Sequence, residues 1–150
     1  MEHGVEVLLP FLYHLNPQIQ VLPMVMGQSP YEQTTVLANV LAGILSDRAK
    51  EPPLLIISSD MNHFASEAEN RRLDRMAIDA MLTAQPKRLY DTCRENEISM
   101  CGVIPAVTIM QALLQDSHHT LELEFIDYSN SADVTDDMSQ VVGYAGVVLS

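Results

Sequence analysis

The chain has 150 residues, 47% hydrophobic and 19% charged, with 20 acidic against 8 basic side chains and a formal net charge of −12. That length suits one domain, or part of one, with a sizeable core. A surface of this sign repels phosphate backbones, which disfavours nucleic acid and anionic membranes as partners. No apolar run approaches the roughly 20 residues a membrane helix needs, and no basic-then-apolar pattern at the N-terminus marks a signal peptide. Two cysteines, Cys93 and Cys101, suit a reducing cytoplasm with free thiols rather than a disulfide scaffold.

In chain order, Val5, Leu8, Leu9, Leu12 and Leu15 recur at helical spacing, with Pro10 requiring a kink or a helix start nearby. After an Asn16-Pro17 turn, residues 18–26 alternate and then become apolar throughout, which reads as a strand; Pro23 assigns it to an edge or a bulge. Ser29-Pro30 supplies an N-cap and a first-turn proline. Val36, Leu37, Val40, Leu41, Ile44 and Leu45 then define the clearest amphipathic helix of the chain.

Behind Pro52-Pro53, Leu54-Leu55-Ile56-Ile57 has the profile of a short strand buried on both faces. Its C-terminal end delivers Asp60 and, three residues later, His63. In open α/β sheets, catalytic and binding groups collect beyond the carboxyl ends of strands. The plainer alternative is a turn-capping Asp beside a surface His.

A second helix spans residues 66–84, with Leu73, Met76, Ala77, Ala80 and Met81 as its buried stripe. Glu67, Glu69, Arg71, Arg72, Asp74 and Arg75 read as its solvated face. Pro86 opens a third helix that places Cys93 in the core, and a fourth begins at Val103 with Pro105 in its first turn. Leu121, Leu123 and Phe125 alternate with Glu122 and Glu124 in a half-buried strand, and residues 141–149 form the last strand. Gly143 and Gly146 inside that strand imply close backbone approach. The alternation of elements predicts an α/β fold with a central mixed sheet of four strands flanked by helices, ending in an antiparallel pair.

Cys101-Gly102 stands immediately before the fourth helix, where unpaired N–H groups and the helix dipole favour a thiolate, the nucleophilic and metal-binding form. A small cysteine in a glycine turn is the plainer alternative. His3, Asp60, His63 and Cys101 together could serve a transition metal, or act as base and nucleophile around a carbonyl substrate. His14 and His118-His119 read as solvated, and Asp133, Asp136 and Asp137 as an exposed loop lacking the pattern of a calcium site.

Six stretches taken together resemble one family. They are Glu2-His3-Gly4-Val5-Glu6-Val7 with Leu9-Pro10-Phe11-Leu12, Ser58-Ser59-Asp60-Met61-Asn62-His63-Phe64, and Arg72 to Asp79. Ile98-Ser99-Met100-Cys101-Gly102, Tyr128 to Thr135 and Val141-Val142-Gly143-Tyr144-Ala145 complete the set. They resemble Memo-like proteins, in particular AmmeMemoRadiSam system protein B, in the C-terminal half. The resemblance implies a fold like that of LigB-type extradiol dioxygenases and a single partial domain over residues 1–150. The family's N-terminal half, whose histidine motifs supply two metal ligands, has no counterpart here.

By the same resemblance, Asp60, His63 and Cys101 line a cleft, with Cys101 the first candidate metal ligand and His63 and His3 further ones. Iron or copper is the implied cofactor, and a small molecule or peptide the implied occupant. The implied activity is a redox or dioxygenase-like reaction with a truncated metal site, or else non-enzymatic binding or adaptor work in the same cleft. Departures from the family pattern are Gly4 where serine is usual and the apolar pair Val103-Ile104 after Cys101-Gly102. Exposed sheet edges and apolar surface would favour a homo-oligomer.

Overall fold

The computed structural model describes residues 4–48, 50–115 and 120–150. It is a mixed α/β structure with elements α1 (Leu9–Leu15), α2 (Tyr31–Asp47), β1 (His63–Ala65), α3 (Glu67–Met81), α4 (Pro86–Glu95), α5 (Val103–Leu113), β2 (Leu123–Asn130), α6 (Ala132–Thr135) and β3 (Val141–Leu149).

The core forms around α5. Eight of its eleven residues are buried, from Val103 and Ile104 through Val107 and Met110 to Ala112. A helix apolar on all sides must be covered on all sides, and α4 and α2 flank this one while α3 packs on α4. Leu73, Ala77 and Ile78 of α3, Leu89 and Cys93 of α4, and Ile98 and Met100 of the loop before α5 complete the cluster. Cys93 is buried as expected, and burial pushes its thiol up to about 12. Pro86 and Pro105 both lie in first turns, where the missing N–H costs nothing. Pro10 does the same for α1, so that helix begins beside the proline instead of kinking at it.

The sheet differs from expectation. Among the described residues it has three strands in the order β1-β3-β2, every pairing antiparallel, in place of a four-strand mixed sheet. The expected C-terminal antiparallel pair is present, running from Leu123 opposite Leu149 to Asn130 opposite Gly143. A bulge between Phe125 and Asp127 leaves Ile126 and Asp127 both outward before Tyr128 returns to the covered face. Segments 18–26 and 54–57 have strand composition but join no ladder. Leu55 and Ile57 are half-buried while Leu54 and Ile56 face out, so 54–57 is covered on one side only. A ladder needs a neighbour, and the described residues provide none for either segment.

Helix α2 corrects a second expectation. The Val36, Leu37, Val40 and Ile44 side of the helix is exposed, and the residues it buries are Thr34 and Ala38. Its N-cap is Pro30, with no side-chain cap from Ser29. Asp74 of α3, read from sequence as solvated, is fully buried. Arg71, Arg72 and Arg75 are exposed and paired with Glu67, Glu69 and Asp79, as the helical spacing predicts.

Of the two strand glycines, only Gly143 is forced by close approach: a Cβ there would collide with the Asp74 carboxylate, whereas one at Gly146 would make ordinary contact with Ile126. Gly143→Ala should therefore lower stability by about 1–3 kcal/mol or more, while Gly146→Ala should change it by less than about 1 kcal/mol. Urea unfolding of the two variants checks this, and equal effects would contradict it.

Candidate functional site

The extended segment 54–60 ends against the N-terminus of α5, and three side chains of different chemistry meet there. The backbone N–H of Asp60 donates to Cys101 Sγ at 3.2 Å. Cys101 is exposed and sits just before Gly102, the residue that caps α5. A Cβ at Gly102 would collide with Ser59, so glycine is what lets the thiol turn approach this segment. Ser59 closes the joint: its Oγ accepts the Gly102 N–H at 2.8 Å and donates to the Asp60 carbonyl at 2.6 Å, lying 3.7 Å from Cys101 Sγ.

His63 Nε2 lies 3.4 Å from Asp60 Oδ2, the two side chains being 20% and 50% exposed. The alignment is too poor for a hydrogen bond, and Nε2 is itself shielded from water with no partner among the described residues. A buried imidazole nitrogen without a partner is costly, so a ligand donor or acceptor at this point would be rewarded. Next to it, Phe64 holds φ of 63° in the left-handed region while its ring is 76% exposed. A bulky residue in that region costs about 1 kcal/mol or more and persists only where its surroundings impose it. Here the register shift between His63 and Ala65 imposes it.

Behind this rim lies a buried polar network that sequence reasoning missed. Asp74 accepts the Asn62 backbone N–H at 2.7 Å on one oxygen, and Asn70 Nδ2–H at 2.9 Å and the Tyr128 hydroxyl at 2.7 Å on the other. Asn62 Nδ2 donates to Asn70 Oδ1 at 2.8 Å, and Asn62 Oδ1 accepts from the backbone and hydroxyl of Ser99. Ser99 Oγ in turn accepts the His63 N–H at 2.8 Å. Burial raises the Asp74 carboxyl above its usual range, opposed first by the Asn62 N–H. Burial and then the bond to Asp74 push Tyr128 up to about 12. One signal was available: Asn70 and Asp74 are one helical turn apart and share the buried face with Ala77, Ile78 and Met81.

Asp60 thus lies beside both His63 and Cys101. His3 and the pair His118-His119 lie outside the described residues. His14 is exposed. Asp133 caps the turn into α6 by accepting from Ser129 and the Asn130 N–H, which lowers its carboxyl, so this acidic loop serves local structure. Among the described residues no group of three or more His, Cys, Asp or Glu is arranged to hold a metal ion. The described donors alone therefore do not complete an iron or copper site. No described helix is long and apolar enough to cross a membrane.

A family model described as Memo-like protein matches residues 1–148. A MEMO1 family protein of Archaeoglobus fulgidus is 35% identical over 147 residues, covering 98% of this chain and 54% of the relative. One from Aquifex aeolicus is 37% identical over 149 residues, with 98% and 54% covered. One from Methanosarcina acetivorans is 34% identical over 151 residues, with 99% and 55% covered. The chain spans about half the length of these relatives. With nearly every residue matched, the chain belongs to the Memo-like family.

Proposed function

We propose that this chain is a ligand-holding module of its family, in which the Asp60–His63–Cys101 rim receives a small molecule or the end of a peptide. The observation that carries this is the convergence, at the end of segment 54–60, of a half-exposed carboxylate, an imidazole nitrogen 3.4 Å from it that makes no hydrogen bond among the described residues, and an exposed thiol. The Ser59 and Ser99 hydroxyls are already committed inside the protein, so recognition falls to the three rim residues. Asp60 accepts a hydroxyl or amine hydrogen from the ligand, His63 Nε2 takes the adjoining polar group, and Phe64 supplies an apolar platform. The same reading extends to the fold, which we take as part of a LigB-like Memo architecture on the strength of family membership.

A redox or dioxygenase-like reading ranks second. Cys101 favours it, because an exposed thiol beside a helix N-terminus is a reactive and metal-seeking group. Elemental analysis separates the two. Chain purified without added metal should carry iron, copper and zinc far below one per chain, and no difference should appear in Cys101→Ala. One equivalent that disappears in Cys101→Ala would overturn the ligand-holding reading.

The rim also predicts a labelling pattern. Iodoacetamide should modify Cys101 in the native chain at least tenfold faster than Cys93, whose thiol burial holds at about 12. Peptide mapping by mass spectrometry reads the ratio. Comparable rates would mean that the thiol is not presented as described.

A further inference from the structure

Helix α3 and strand β2 leave a groove of about 430 Å³ between them, lined by Arg71, Arg75, Ile78, Phe125, Asp127 and Tyr128. Arg71, Arg75 and Ile78 fall at i, i+4 and i+7 and so share one face of α3. The β2 bulge shapes the opposite wall. It sets two outward residues, Ile126 and Asp127, between the half-buried Phe125 and Tyr128, where a regular strand would set one.

The polar groups of this groove carry both signs and keep spare hydrogen-bonding capacity. Arg71 turns Nε and one terminal nitrogen toward Glu67, and its guanidinium lies over the Tyr128 ring, 5.2 Å from the centroid. Arg75 meets Asp79 through one terminal nitrogen at 2.9 Å. Both are exposed ion pairs, which contribute only about 0–1 kcal/mol, so a ligand carboxylate can share or replace them. Asp127 Oδ1 accepts the Tyr128 N–H at 2.8 Å, while Oδ2 makes no hydrogen bond among the described residues. The Tyr128 hydroxyl is committed to Asp74, which holds its ring in place as a wall. Buried Ile78 and half-buried Phe125 supply apolar surface.

We propose that this groove is a second binding site, which takes a free α-amino acid with a large apolar side chain. Three features select that class. Two guanidiniums near a carboxylate match a ligand that carries both charges, and the planar guanidinium suits a carboxylate best. A ligand with one charge meets repulsion: a net anion from Asp127 and the chain's −12, a simple amine from the two arginines. The volume lies near the lower end of the range for small-molecule sites, about 300–1,000 Å³. That suits a single amino acid with its side chain against Ile78 and Phe125. The ligand carboxylate accepts from Arg75 and Arg71, and the ligand ammonium donates to Asp127 Oδ2. None of these residues belongs to the Asp60–His63–Cys101 rim, so the site holds independently of what the rim binds.

The test titrates the full chain with L-phenylalanine and L-leucine, and with 3-phenylpropionate and 2-phenylethylamine, which keep the ring and only one of the two charges. Calorimetry reads the affinity and amide NMR shifts read the place. The better of the two amino acids should saturate one site per chain, shift the amides of Ile78, Phe125 and Tyr128, and bind about tenfold or more tightly than either single-charge analogue. Arg75→Gln and Asp127→Asn alter exposed side chains, so each should keep the native melting temperature while weakening that binding about tenfold. No saturation by either amino acid up to about 10 mM would overturn the proposal. So would equal binding of 3-phenylpropionate, an affinity unchanged in both variants, or shifts confined to Asp60, His63 and Cys101.

Discussion

A buried carboxylate with three donors around it holds together the corner that carries the candidate site. Asp74 sits on α3 and ties that helix to the corner before β1 through Asn62 and to β2 through Tyr128, while β3 is drawn in so closely that only glycine fits at position 143. Desolvation raises the carboxyl and the Asn62 N–H opposes it. Since the native carboxyl is raised, its contribution to folding is fully present below its unfolded value near 3.8 and declines as pH rises through the native value. The network is thus retained at neutral pH against a local cost. Its benefit is geometric: removing one partner would leave the others buried and unsatisfied, at about 1–3 kcal/mol each.

That geometry passes outward residue by residue. Asn62, fixed by Asp74 and Asn70, holds Ser99 through its side-chain oxygen, and Ser99 holds the His63 backbone. Backbone hydrogen bonds from Met61 N–H to the Gly143 carbonyl and from Gly143 N–H to the Asn62 carbonyl fasten the same corner to β3. The strained Phe64 and the unpartnered His63 nitrogen are then tolerable because the shell behind them is over-determined. On the other side, Ser59 and Gly102 bring the thiol turn to within hydrogen-bonding distance of Asp60. The rear wall thus fixes the backbone around His63 and Asp60, at the rim that we propose receives a ligand.

Much of this was legible in the sequence, for reasons that are local. Helices α3, α4 and α5 follow from periodicity and from prolines confined to first turns, and β3 from its apolar run between polar loops. Asp60 and His63 were legible as groups beyond the end of an apolar run and Cys101 as a thiol before a helix, and their sharing of one cleft was implied by the family resemblance alone. What failed was partnership. Periodicity says which residues share a face, not what faces them, so the stripe of α2 reads as core-facing although Val36, Leu37, Val40 and Ile44 are exposed and only Leu41 and Leu45 are half-buried. The same limit turned 18–26 and 54–57 into strands of a mixed sheet, although strands exist only as pairs. Asp74 failed for the opposite reason. Its charge argued for solvent, while its helical position beside Asn70, Ala77 and Ile78 placed it inside, where three donors compensate.

The most direct test of this account is the effect of Asp74→Asn on the rim. The substitution turns an acceptor oxygen into an NH2 group facing the Asn70 amide and the Tyr128 hydroxyl. The measurement is the iodoacetamide reaction rate of Cys101 together with the His63 imidazole NMR resonances, recorded in native buffer where both proteins are folded. The account predicts a stability loss of about 1–3 kcal/mol, displaced His63 resonances and a severalfold change in Cys101 rate. A variant with native resonances, rate and stability would show that the rim is held by something other than the Asp74 network.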